Sequence, residues 1–220
     1  MVKFKIEDTT YEITERFSIE QWKQIVKWDF EHKPHWPRII STATGAPLEY
    51  LQEVTEESLE LGIVFIATVI NSRKEVAIKD FNDITFGEWI DLDIYLNYGV
   101  DKHIEDILAI LSPKLKWANE ALWVIEKYSE WRLFIYKQYG KLFGLDEKES
   151  SSEGPQMDIA KSWYNVIISL AQEDLLKIDA VTDQPLKKAL NFMAYKKEKM
   201  LQEQERQLKQ KRQNDLLRHS

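Results

Sequence analysis

Acids and aromatics crowd one short stretch, ITFGEWIDLD at positions 84–93. Glu88, Asp91 and Asp93 are the side chains there that could hold a metal or move a proton. Their spacing argues against it. On a helix, Asp91 and Asp93 point about 200° apart and cannot share a ligand. Glu88 and Asp91 share a face, but two carboxylates with no nearby His make a poor metal site. The four histidines, His32, His35, His103 and His219, do no better. Pro34 separates the two in HKPH and removes the helical geometry that would align them, and no third His or Cys completes a set. There is no Cys at all, which excludes disulfides, Cys-based zinc sites and thiol catalysis. No nucleophile elbow, phosphate-cradling glycine loop, dinucleotide fingerprint or paired-His zinc motif is present. The sequence therefore offers no catalytic residue, no metal site and no cofactor, and points away from enzymes.

The elements around these residues read as helices. Thr85 with Glu88 makes a capping box, and Ile84 with Trp89 makes a hydrophobic staple, so ITFGEW is a helix start whose acids complement the helix dipole. Gly87 lies inside the first turn, where glycine costs up to roughly 1 kcal/mol relative to alanine. Its missing side chain implies the close approach of another backbone. The helix ends at Asn97-Tyr98-Gly99, with Gly99 suited to a left-handed terminus.

Upstream, Val2, Phe4 and Ile6 alternate, and Tyr11 and Ile13 resume after EDTT, which predicts a β-hairpin. Ser18 and Gln21 in FSIEQW form another capping box, with a helix expected to run until the prolines of HKPHWP. STATGAPLEYLQEV (41–54) reads as a turn and a short helix. Thr55 caps a helix whose apolar residues run nearly all round it, so it is expected to be buried and central. Val76 and Ile78 suggest a short strand.

Downstream, Asp101 is expected to cap a helix carrying Ile104, Ile107, Leu108 and Leu111 and stopping before Pro113. A long aromatic helix is expected over 114–143, from the spacing of Trp117, Ala121, Val124, Tyr128, Trp131 and Ile135. DEKESSSEGP (146–155) reads as a polar loop. An amphipathic helix is expected over about 157–178, and a last helix starts at Thr182 or Asp183 with Pro185 in its first turn. Leu186, Leu190, Met193 and Met200/Leu201 would dock that helix on the body. The expected fold is mainly α, a helical bundle with a small N-terminal β-hairpin and a long protruding C-terminal helix. Residues 1–144 form the body, 145–156 a polar loop, 157–201 helices packed on the body, and 202–220 a polar helical tail.

Charge is unevenly spread. The chain has net charge −7, yet residues 186–220 hold 10 Lys/Arg against 4 Asp/Glu. An acidic body with a basic tail suggests a charged partner or self-association. The tail's cations are diluted by Gln and acids, which argues against nucleic acid, where dense positive charge is needed. The longest apolar stretch, LGIVFIATVI, is too short for a membrane span, which takes about 20 residues. MVKFKIEDTTYEI has no apolar signal-peptide core, so a soluble intracellular protein is expected. Eight Trp, nine Tyr and nine Phe suit both a compact core and partner surfaces.

The order of hairpin, capped helix, TGAPLEYL turn, buried helix and ITFGEWIDLD, over residues 1–111, resembles small tailed-phage proteins of tail and baseplate assembly, namely T4-type baseplate hub assembly proteins and tail assembly chaperones. The resemblance implies a non-enzymatic structural or assembly protein. It would act through protein–protein contacts in the tail, baseplate or neck of a virion, within the particle or in the host cytoplasm during assembly. Its partners would be other phage structural proteins or further copies of itself. Phe86, Gly87 and Trp89, with the tail cations Lys197, Arg206, Lys209, Lys211 and Arg212, are the candidate contact residues. The alternative is a regulatory protein that binds nucleic acid through its basic tail.

Overall fold

A computed structural model describes residues 2–6, 9–144 and 159–218. The protein is mainly helical, with a two-stranded antiparallel hairpin and a long C-terminal helix. The chain divides into two compact units, Met1–Lys79 with Tyr95–Tyr128, and Asp80–Ile94 with Ser129–Ser220.

In the first unit, β1 (Val2–Ile6) pairs with β2 (Thr9–Ile13), placing Val2 opposite Ile13 and Phe4 opposite Tyr11. Residues 7 and 8 of the expected turn lie outside the described residues. The hairpin's buried Ile13 joins a core built on α1 (Ile19–Ile25), α2 (Trp36–Thr44) and α4 (Glu56–Asn71), with the short α3 (Leu48–Leu51) between them. Ile25, Ile39, Ile40, Leu51 and Ile66 are fully buried in this unit. The capping box at the start of α1 is complete. Gln21 N–H donates to Ser18 Oγ at 3.1 Å, and Ser18 N–H donates to Gln21 Oε1 at 3.1 Å.

Helix α1 ends at Ile25, well short of HKPHWP. Beyond that end the Asp29 carboxylate accepts the Glu31 N–H at 2.9 Å, an Asx turn that keeps the chain from running on as helix to the prolines. The prolines then open the next helix rather than close the last. Pro34 lies in a 3-10 turn over Lys33–His35, and Pro37 sits in the first turn of α2, where its missing N–H costs nothing. Gly45, at φ 75°, closes α2 in the left-handed conformation that glycine favours.

Helix α4 is not buried all round. Leu59, Ile63, Ile66 and Val69 face the core, but Leu61 and Val64 are 62% and 59% exposed. The expected strand at Val76–Ile78 is absent among the described residues.

Helices α5 (Phe86–Tyr98) and α7 (Ala118–Gln138) each contribute to both units, because the boundaries fall within them. Helix α6 (Val100–Leu111) buries Ile104, Ile107, Leu108 and Leu111, as the periodicity requires. Its cap is Gly99 rather than Asp101, which lies in the first turn. Helix α7 begins only at Ala118, because the preceding residues are held elsewhere. Lys116 O accepts the Ile19 N–H at 3.2 Å, and Ala118 N–H donates to Phe17 O at 2.9 Å. It ends before Tyr139, and α8 (Gly140–Phe143) is a separate turn.

The second unit holds the remaining helices. The expected polar loop 146–155 lies outside the described residues. Helix α9 (Ile159–Leu170) is shorter than its periodicity suggests. Gln172 and Glu173 adopt left-handed φ of 58° and 61°, and the Asp174 carboxylate accepts the Leu176 N–H at 3.1 Å. A 3-10 turn (Leu175–Lys177) and α10 (Ile178–Thr182) follow. Thr182 therefore ends a helix instead of starting one. Helix α11 runs over Leu186–Arg218, and Pro185 provides its first accepted carbonyl, to Ala189 N–H at 3.2 Å. Leu186 and Leu190 are buried, whereas Met200 and Leu201 are exposed and do not dock.

Candidate functional site

The capping box of ITFGEW sets the frame for everything around it. Thr85 N–H donates to Glu88 Oε2 at 2.9 Å, and Glu88 N–H donates to Thr85 Oγ1 at 3.1 Å. The strand-like residues before it pair with the start of α11: Leu186 N–H donates to Ile84 O at 3.1 Å, and Phe86 N–H donates to Gln184 O at 2.8 Å. This pins one end of α5 against α11. Gly87 then faces α10. A Cβ built on it would meet Thr182 Cβ at 3.0 Å and Thr182 O at 3.4 Å. The close backbone approach inferred from this glycine is present.

With that end fixed, Phe86, Trp89, Ile90 and Asp93 fall on the inward face at helical spacing. Asp93 is fully buried. Its Oδ1 accepts from Arg132 Nε at 2.7 Å, from Arg132 Nη2, and from Tyr136 Oη at 2.9 Å. Its Oδ2 accepts from Trp163 Nε1 at 2.8 Å. One carboxylate thus ties together α5, the end of α7 and α9. A buried charge is tolerated only when paired and hydrogen-bonded, and these donors do both. Burial pushes the Tyr136 phenol well above its ordinary range, and the Asp93 charge adds to the effect. An apolar shell surrounds the group: the Trp89 ring lies 5.8 Å from Trp131 and 5.7 Å from Tyr136, and Phe86 lies 6.0 Å from Trp163. Asp93 with its donors is a clamp that joins these helices. In the sequence Asp93 stands aside as unable to share a ligand with Asp91, and its burial is not foreseen, although a carboxylate at a stripe position (Phe86, Trp89, Asp93) is the available signal.

Phe86 and Trp89, read from the sequence as contact residues, are fully buried here. They serve the core of this unit and present no surface. Asp91, two residues from Asp93, is on the outer face.

The tail cations sit differently. Lys197 Nζ donates to the carbonyl of Lys141 at 2.7 Å and lies 3.4 Å from that of Leu142, so it holds α8 against α11. From Glu198 to Asn214 every residue of α11 is exposed. Arg206, Lys209, Lys211 and Arg212 lie in that span. At about 100° per residue Arg206, Lys209 and Arg212 fall within about 120° of one another, with Glu205 among them, while Lys211 lies on the other side of the helix. Arg206 also approaches Glu203 at 3.8 Å. Gln202 and Gln207 hydrogen-bond Glu198 and Glu203 one turn back, at 3.4 and 3.2 Å.

His32 and His35 pack ring to ring at 4.4 Å, and His103 hydrogen-bonds Asp106 at 3.1 Å and stacks on Tyr95. Among the described residues, no three His, Asp or Glu side chains converge as a metal would need. Among them also, no helix is long and apolar enough to cross a membrane. The chain matches no family model, and neither a curated protein nor a solved structure is similar to it.

Proposed function

We propose that this chain is a non-enzymatic assembly protein that works through protein–protein contacts in the tail, baseplate or neck of a tailed phage. The carrying observation is α11. Its early turns are anchored by Leu186, Leu190 and Lys197, and from Glu198 to Asn214 every residue is exposed. A polar helix gains little from propensity alone, since most helical stability comes from packing. Such a helix, offered on a fixed base, is suited to lie against a partner. The phage setting rests on the order of motifs over residues 1–111, from the hairpin through TGAPLEYL to ITFGEWIDLD. The site of action would be the particle or the host cytoplasm during its assembly.

Cross-linking with mass spectrometry on assembling and purified particles tests this. Cross-links from Lys199, Lys209 and Lys211 to a tail or baseplate protein are expected. A chain that forms no stable protein contact, or that turns over a small molecule, would overturn the reading.

A second reading, nucleic-acid binding by the tail, is favoured only by the exposure of Arg206, Lys209, Lys211 and Arg212. Glu203, Glu205 and the intervening Gln residues dilute that positive charge and weaken the reading. Salt-dependent binding to duplex DNA, lost on removing residues 202–220, would support it.

A further inference from the structure

One face of α11 is amphipathic yet only partly covered. Ala189, Phe192, Met193, Lys196, Lys197 and Met200 recur at three- and four-residue spacing, and so share that face. Against it lie two adjoining cavities of about 650 and 350 Å³, with Leu170 lining both. The larger is floored by Leu142, Val166, Leu170, Met193 and Met200, and the smaller continues past Val181 to Phe192. Among the described residues, the charged ones that line them are Lys188, Lys196 and Lys197, with no acid in either lining. In a chain of net charge −7, that is a local inversion of sign. Among the described residues none of these lysines is paired with a carboxylate. Lys188 donates to Gln184, Lys197 to backbone carbonyls, and Lys196 stands 5.7 Å over the Phe192 ring.

We infer that this groove receives an acidic amphipathic helix from a partner protein. The inference rests on the contact reading above and names the chemistry of the contact. From Lys188 to Met200 the groove follows α11 for about 18 Å, room for roughly three helical turns. Met193 and Met200 give it an adaptable apolar floor, the kind that accepts a helix face by repacking. The lysines select an occupant that carries Glu or Asp beside its apolar stripe. The apolar floor disfavours nucleic acid, and the concave shape fits a rod rather than a flat membrane.

The test uses the full chain and a fluorescein-labelled synthetic helix of about 14 residues built from Leu and Glu, with its Leu/Lys counterpart as control. Fluorescence polarisation should show binding of the Leu/Glu peptide, weakening as salt rises, and none of the Leu/Lys peptide. Lys196→Glu and Met200→Glu should each weaken binding about tenfold or more. Both side chains are exposed, so the variants should melt with the parent chain. Lys209→Glu, outside the groove, should change nothing.

Equal binding of both peptides, or affinity indifferent to Lys196→Glu and Met200→Glu, would overturn the inference. So would a dimer in sedimentation that Met200→Glu dissolves, which would give the groove to a second copy. Tighter binding to anionic vesicles than to the peptide would likewise overturn it. If the groove variants still cross-link to their partner through α11, this inference fails alone and the contact reading stands. If no protein contact is found at all, the contact reading fails, whatever the peptide does.

Discussion

Asp93 shows how one side chain can organise a unit. Three donor residues from two other helices converge on it in a fully buried position. Asp93→Ala leaves the Arg132 guanidinium, the Tyr136 hydroxyl and the Trp163 indole N–H facing an empty space. We expect a loss of about 3–5 kcal/mol, the usual cost of breaking a buried ion pair from one side. Chemical denaturation measures it, and a loss under about 1 kcal/mol would show that the clamp is not structural. Its neighbour Asp91 behaves in the opposite way. Partial desolvation, and then the Glu88 charge, hold its carboxyl above the usual carboxylate range. The folded chain therefore holds that proton more tightly than the unfolded chain. Stability falls as pH rises from the ordinary value near 3.8 through the raised one, and the penalty persists above it. Asp91→Asn should stabilise the protein at neutral pH, by no more than about 0.5 kcal/mol after solvent screening. The gain should disappear near about pH 3, where both states are protonated. Urea titrations at the two pH values decide it.

At the scale of elements, the two helix starts marked by capping boxes were legible, while other starts and several helix ends were not. The capping boxes at Ser18/Gln21 and Thr85/Glu88 formed as read, because every group they need lies within four residues. Two ends came early. Helix α1 stops at Ile25 and α9 at Leu170, and beyond them Asp29 and Asp174 each accept the N–H two residues on, so the chain turns where apolar periodicity would carry a helix forward. Apolar spacing carries no record of that competition. The late start of α7 has a different cause, the pairing of Lys116 and Ala118 with residues about a hundred positions upstream. Gly87 provides the test at this scale. Gly87→Leu drives a side chain into Thr182 of α10, and should cost about 1–3 kcal/mol by overpacking. Thermal melting measures it, and an unchanged melting point would refute the close packing of α5 on α10.

For the whole molecule, the question is which parts hold the fold and which face outward. Deleting residues 202–220 removes helix whose residues are all exposed as far as Asn214, so stability should change by no more than about 0.5 kcal/mol. The same deletion should abolish the cross-links expected from Lys209 and Lys211. A large drop in stability would mean that the tail packs on the body after all. Truncation before Leu190 should instead unfold the second unit, because Leu186, Ala189 and Leu190 are part of its core.

The sequence by itself determined the helical class, the presence of the hairpin and the polar nature of the last turns, though Thr9 and Thr10 of the expected EDTT turn belong to β2. Each follows from residues near one another in the chain: alternation, capping spacing and a run with few apolar side chains. It also determined that Gly87 sits under a neighbouring backbone, since a helical glycine needs a reason. Only the tertiary structure decided that Phe86 and Trp89 face inward, that Asp93 is a clamp, and that three lysines rim an apolar groove. Those facts depend on which distant helices meet, because burial and charge pairing are set by residues that no local window contains.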